Sequence, residues 1–213
     1  MSFIDTTPPG AAQGAVAEMY RRQEAAWGFV PNYAKVFCHR PEVMARWGAL
    51  LAEIKRPMDR RRFELATFAA AHELRHSACS LAHGRVLREY LQDAQIVAIA
   101  EGRPAGLAPG DEALVRFARQ VARDASGVTA EDVAALRQAG FADAEIFDIA
   151  AAAAGRAFFT KLLDAMGVLA DAPLGTIEPA LRDALVVGRP IDTEPVATMP
   201  PVPLATPGVS YAC

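Results

Sequence analysis

The chain has 213 residues, 52% of them hydrophobic and 22% charged, with a formal net charge of −3. That is enough chain and apolar surface for one globular domain with a real core. The charge balance gives no reason to expect a nucleic-acid partner, which normally shows as a basic domain. No apolar run approaches the roughly 18 residues of a membrane-spanning helix, so no membrane partner is expected either.

The start, Met1-Ser2-Phe3-Ile4-Asp5, has no basic region followed by an apolar stretch, so no secretory signal is expected. Strand signals are nearly absent, and apolar residues recur at helical spacing, as in Ala113, Leu114, Phe117, Ala118 and Val121. Helices are predicted over about 10–26, 41–55, 60–74, 77–91, 93–101, 110–125, 129–139 and 142–166, giving an all-α fold. Glycine and proline separate them at Gly28, Pro31, Pro41, Pro57, Gly102-Arg103-Pro104 and Gly140. Thr129 ahead of Glu131-Asp132 is a good helix start. Asp93–Ala100 echoes Asp143–Ala150 at five positions, read either as two similar helical halves or as coincidence between alanine-rich helices. The chemistry is not duplicated, because Thr129 and Val133 stand fifty residues after Cys79 and His83. The predicted domain is 1–188, followed by an extended segment, 189–213, that holds six of the fifteen prolines. The three cysteines, Cys38, Cys79 and Cys213, are scattered and make no disulfide framework, so a reducing cytoplasm is the expected compartment.

The residues that carry chemistry are Glu64 and the run His76-Ser77-Ala78-Cys79-Ser80-Leu81-Ala82-His83. Cys79 and His83 are four apart and share a helix face. A thiol with a base in reach can be held as thiolate, the attacking form. The plainer reading of Cys79 is a small buried hydrophobe, and of His83 a hydrogen-bonded structural histidine. Ser77 is a candidate N-cap that would put Cys79 in the first helical turn, where the helix dipole favours a thiolate. One unbroken helix over 60–91 is the alternative. Glu64 would orient His83, directly or through water, or pair with Arg60, Arg61 or an arginine of a neighbouring helix. His76 is either a proton donor or a bystander. His72, His76, Cys79 and His83 would form one stripe on an unbroken helix, but over roughly 16 Å at 1.5 Å per residue they cannot converge on one ion within a subunit. Two or three of them could meet an ion across an oligomer axis; the expectation is nevertheless no metal and no cofactor. The run Lys55-Arg56-Pro57-Met58-Asp59-Arg60-Arg61-Arg62 reads as solvated surface, or as a source of one arginine that guides an anionic substrate toward Glu64. Cys38 reads as core.

Glu64 with Cys79-x-x-x-His83-Gly84 resembles the alkylhydroperoxidase AhpD and carboxymuconolactone decarboxylase superfamily, particularly its peroxidase-related branch. Gly28-Phe29-Val30-Pro31-Asn32, His39-Arg40-Pro41-Glu42-Val43, and Val128–Val133 with Leu136 and Gly140-Phe141 extend the resemblance over about residues 10–168. It implies an AhpD-like helical bundle, a homo-oligomer, and a thiol that attacks peroxide with a Glu64/His83 proton relay. The redox members carry Cys-x-x-Cys-x-x-x-His, whereas His76 stands here at the first cysteine position. The attacking thiol and relay are retained and the adjacent resolving thiol is not. Three functions follow as expectations. The first is a thiol enzyme acting on a small electrophile such as a peroxide, regenerated by an external thiol or Cys213. The second is a decarboxylase-type enzyme in which His83, His76 and Glu64 do acid–base work on a small carboxylate, lactone or keto acid. The third is a ligand-binding oligomer without catalysis.

Overall fold

A computed structural model describes residues 2–103 and 105–194. Most of the proline-rich segment, including Cys213, lies outside the described residues. Among the described residues ten α-helices follow one another: α1 Gly14–Trp27, α2 Asn32–Val36, α3 Pro41–Lys55, α4 Arg60–Glu73, α5 Ser77–Leu87, α6 Asp93–Ala100, α7 Pro109–Asp124, α8 Ala130–Gln138, α9 Asp143–Ala165 and α10 Pro179–Leu185. The described residues contain no strand, only one isolated bridge between Ala170 and Ile191. None of their helices is long and apolar enough to cross a membrane.

All eight helices predicted from periodicity are present. The two that periodicity missed, α2 and α10, are five and seven residues long, too short to show a repeat. Each starts at a proline signal, Pro31 as N-cap of α2 and Pro179 at the first turn of α10.

The central element is α4, on which every residue from Phe63 to Ala71 is buried. A helix buried on all sides along two turns and more is an interior one, and α5, α7 and α9 pack around it. Burying Leu65, Phe63 and Phe68 contributes about 1.5–3 kcal/mol each. A second cluster ties α2 and α3 to α9. Trp47 stacks on Phe159 with ring centroids 4.2 Å apart, Phe37 and Tyr33 pack on the same ring, and Trp47 Nε1 donates to the Gly155 carbonyl at 3.2 Å. The order α4-α5-α6 recurs as α7-α8-α9, and the fifty-residue echo falls on α6 and the first two turns of α9.

The segment after α9 returns to the start of the chain. The Asn32 backbone N–H donates to the buried Asp171 carboxyl at 2.9 Å, and the Asn32 side chain donates to Asp192 at 3.1 Å. Burial pushes the Asp171 carboxyl up to about 7 against the pull of the Asn32 N–H and Lys35.

Candidate active site

The site forms where α4 gives way to α5. Asp59 starts α4 by accepting the Arg62 N–H at 3.0 Å. The helix stops at Leu74 because Arg75 adopts a left-handed conformation, φ 59°. Arg75 N then donates to His72 O at 2.9 Å and His76 N to Ala71 O at 3.0 Å, the Schellman pattern that satisfies the last carbonyls. The alternative of one helix over 60–91 is thereby excluded, and with it the continuous stripe from His72 to His83. His72 lies instead against the Ala184 carbonyl of α10 at 3.3 Å. Among the described residues no group of three or more His, Cys, Asp or Glu side chains comes together as a metal set.

The N-cap of α5 is His76, not Ser77. Its Nδ1 accepts the Cys79 backbone N–H at 3.1 Å, while Ser77 occupies the first helical position and its Oγ accepts from Gly188 N at 3.0 Å. An imidazole can replace the usual Ser, Thr or Asp because it too offers a lone pair to the third backbone N–H of the helix. Cys79 therefore sits in the first turn, near the positive end of the helix dipole. Segment 186–191 lies against this turn so closely that a Cβ on Gly188 would fall 1.8 Å from the Arg75 carbonyl oxygen.

Glu64 and His83 meet across the α4–α5 interface. His83 Nδ1 and a Glu64 carboxylate oxygen are 2.6 Å apart, and both residues are buried. Lys55 approaches the other carboxylate oxygen at 3.6 Å. Burial works against the Glu64 charge most strongly, but His83, Lys55 and Arg156 together hold its carboxyl below the usual range. With Nδ1 engaged, the other ring nitrogen of His83, Nε2, is buried with no hydrogen-bond partner among the described residues. The arginines of α4 are committed elsewhere: Arg60 to Glu89, Arg61 to Asp111 and Arg62 to Glu145. They neither pair with Glu64 nor reach toward it.

The residue that sequence reading missed is Arg156 of α9. It is fully buried, its Nη1 lies 3.6 Å from Cys79 Sγ, and its guanidinium sits over the rings of Trp47 and Phe159 at 5.5 and 5.6 Å. A sequence signal existed, because Arg156 is the only charged residue between Asp148 and Lys161. A lone cation in an apolar helical stretch must be paired or used.

His76 faces opposing influences. Burial, the strongest, disfavours its charged form, as does Arg156, but the Cys79 sulfur and Asp164 outweigh them and raise its pKa. Charging the ring at Nδ1 would remove the acceptor that caps α5, so the protonation of His76 and the start of the Cys79 helix are linked. Asp164, half-buried on α9, is itself raised, chiefly by burial. Cys38 lies on a different part of the molecule, partly buried, where its sulfur accepts the Thr7 N–H at 3.3 Å.

This all-helical arrangement, with α5, α7 and α9 packed on a buried α4, has counterparts among solved structures. One is the AhpD core of an uncharacterized peroxidase-related protein from Ralstonia eutropha JMP134, with a TM-score of 0.66 at 22% identity over 81% of this chain and 94% of that one. The chain has the AhpD-like fold. An uncharacterized peroxidase-related protein from Silicibacter sp. TM1040 matches with a TM-score of 0.67 at 18% identity, covering 82% of this chain and 94% of that one. The debrominase Bmp8, as a cysteine-to-alanine variant in complex with 2,3,4-tribromopyrrole, matches with a TM-score of 0.63 at 17% identity over 87% and 98%. No protein-family model matches the chain, and no curated protein does.

Proposed function

We propose that this AhpD-like protein is a thiol-dependent enzyme in which Cys79 is the nucleophile and Glu64 and His83 relay protons. Fold likeness alone does not carry an activity. The observation that supports the reading is the buried constellation itself: a first-turn thiol 3.6 Å from a fully buried guanidinium, on the same helix as a histidine held 2.6 Å from a carboxylate. Both the helix start and the cation favour the thiolate. The His83 ring has its orientation set by Glu64 and keeps Nε2 available for proton transfer.

With a hydroperoxide as the small electrophile, the Cys79 thiolate attacks one oxygen, forming the S–O bond as the O–O bond breaks. The departing alkoxide takes a proton relayed through His83. Reduction of the sulfenic acid consumes one external dithiol, which is oxidised to its disulfide as water leaves and the thiol is restored. His76 occupies the position from which an adjacent thiol would resolve the sulfenic acid, so turnover is slow and over-oxidation competes.

The test is peroxide consumption with a dithiol reductant in wild type, Cys79→Ser and His76→Cys. Slow consumption in wild type, none in Cys79→Ser and faster consumption in His76→Cys are expected. The last variant also loses the α5 cap, at a cost of about 1 kcal/mol. Undiminished consumption in Cys79→Ser would overturn the thiol reading, and absence of consumption in wild type would leave a second one. In that reading the Glu64–His83 pair performs acid–base chemistry on a small lactone or keto acid, which the available Nε2 favours independently of the thiol.

A further inference from the structure

Arg156 donates toward Cys79 through Nη1 alone. Its Nε and Nη2 are buried with no hydrogen-bond partner among the described residues. These two atoms are not equivalent leftovers. Nε–H and the Nη2–H parallel to it form the side-on edge of a guanidinium, the edge that meets two carboxylate oxygens in a bidentate pair. Leaving such an edge unsatisfied in a protein interior is costly. Trp47 and Phe159 beneath the guanidinium also restrict the swing that would bring it to water.

We propose that this edge of Arg156 is a carboxylate-binding subsite, so that the substrate of Cys79 is a small carboxylate whose electrophilic atom lies close to its carboxyl group. The inference rests on the reading of Cys79 as the reactive thiol and specifies what that thiol acts on. Glu64 already engages Lys55 and His83 and the three α4 arginines are each paired with a carboxylate, so the unpaired, buried edge of Arg156 is what a two-oxygen acceptor would satisfy. One guanidinium can serve both functions at once, Nη1 steadying the sulfur while the opposite edge holds the carboxylate and orients the carbon or oxygen to be attacked.

Iodoacetate and iodoacetamide test this directly. They share one electrophilic carbon and differ in carrying a carboxylate or a neutral amide. In each case the thiolate forms a C–S bond as the C–I bond breaks and iodide leaves, with no net redox change. Rates of labelling at Cys79 and Cys38 are read by peptide mass spectrometry in the native protein, Cys38 serving as the internal reference without an arginine subsite. The expected result is an iodoacetate-to-iodoacetamide rate ratio at Cys79 about 10-fold or more above that at Cys38, the size of one charge-assisted pair. Pyruvate should protect Cys79 and leave Cys38 unaffected. In Arg156→Lys, which keeps a charge but loses the two-pronged edge, the ratio should fall to that of Cys38 while iodoacetamide labelling persists. The wild-type ratio decides the matter even where a variant does not fold. A Cys79 ratio at or below that of Cys38, with iodoacetamide labelling intact, overturns the carboxylate subsite and leaves the thiol reading standing. Labelling of Cys38 but not Cys79 by either reagent overturns both.

Discussion

The α4–α5 turn and the α8–α9 turn close their first helix with the same pair of hydrogen bonds but are built from different residues. After α8, Gly140 takes the left-handed conformation at φ 93°, with Gly140 N bonded to Arg137 O and Phe141 N to Leu136 O. After α4 the equivalent position is Arg75, the only non-glycine residue with positive φ among those described. The second helix also starts differently. Glu145 reaches back to the Ala142 N–H at 2.9 Å at the surface, whereas at α5 a buried histidine caps the cysteine's own N–H. Across the α8–α9 turn the clasp is an exposed Arg137–Asp143 pair, and across α4–α5 it is the buried Glu64–His83 pair. The surface turn follows local preference throughout. The turn that presents the thiol departs from it, holding strain of about 1–2 kcal/mol at Arg75.

The largest expected effect comes from cutting the buried clasp. Glu64→Ala should lower stability by about 3 kcal/mol, because it strips buried partners of their counter-charge, and denaturant midpoints will show it. The pH dependence has a definite sign. Since the folded Glu64 carboxyl is held below its ordinary value, its contribution is full above about pH 4.3 and is lost as pH falls through the folded value. Stability of Glu64→Gln measured against pH should therefore converge on wild type in acid. A gap that stays constant with pH would mean that the pair contributes packing rather than charge.

Next in size is Gly188→Ala, expected to lose about 1–3 kcal/mol through collision with the Arg75 carbonyl. An unchanged melting temperature would show that segment 186–191 can lift from the turn without penalty. Arg75→Gly should then stabilise by about 1 kcal/mol, making the two turns alike. A loss of stability instead would mean that the arginine side chain repays its own strain. The smallest effect is expected at the surface clasp, where Asp143→Ala should leave the midpoint unchanged, since the pair with Arg137 is solvated and screened. A measurable drop there would erase the contrast between the turns.

The same contrast explains what was legible. Gly140 is readable as a helix stop because glycine is favoured where φ is positive. Arg75 gives no such signal, so the sequence alone allows an unbroken helix over 60–91 beside the true break, and Ser77, the commoner capping residue, masks His76 as the cap. Glu64, Cys79 and His83 were identifiable because their types and spacing suit one helical interface. Arg156 was not singled out although its isolation in an apolar stretch was visible, because sequence shows that such a charge needs a partner without saying which.

By itself the sequence determined the all-α class, the eight longer helices and the candidate chemistry at Glu64, Cys79 and His83, since helical periodicity and i to i+4 spacing are local properties of the chain. Only the tertiary structure decided that α9 returns to set Arg156 3.6 Å from Cys79, and that segment 186–191 closes over the Arg75 turn. The physical reason is sequence distance. Contacts between residues 77 and 111 positions apart are set by the packing of whole helices against α4, and no local pattern encodes them.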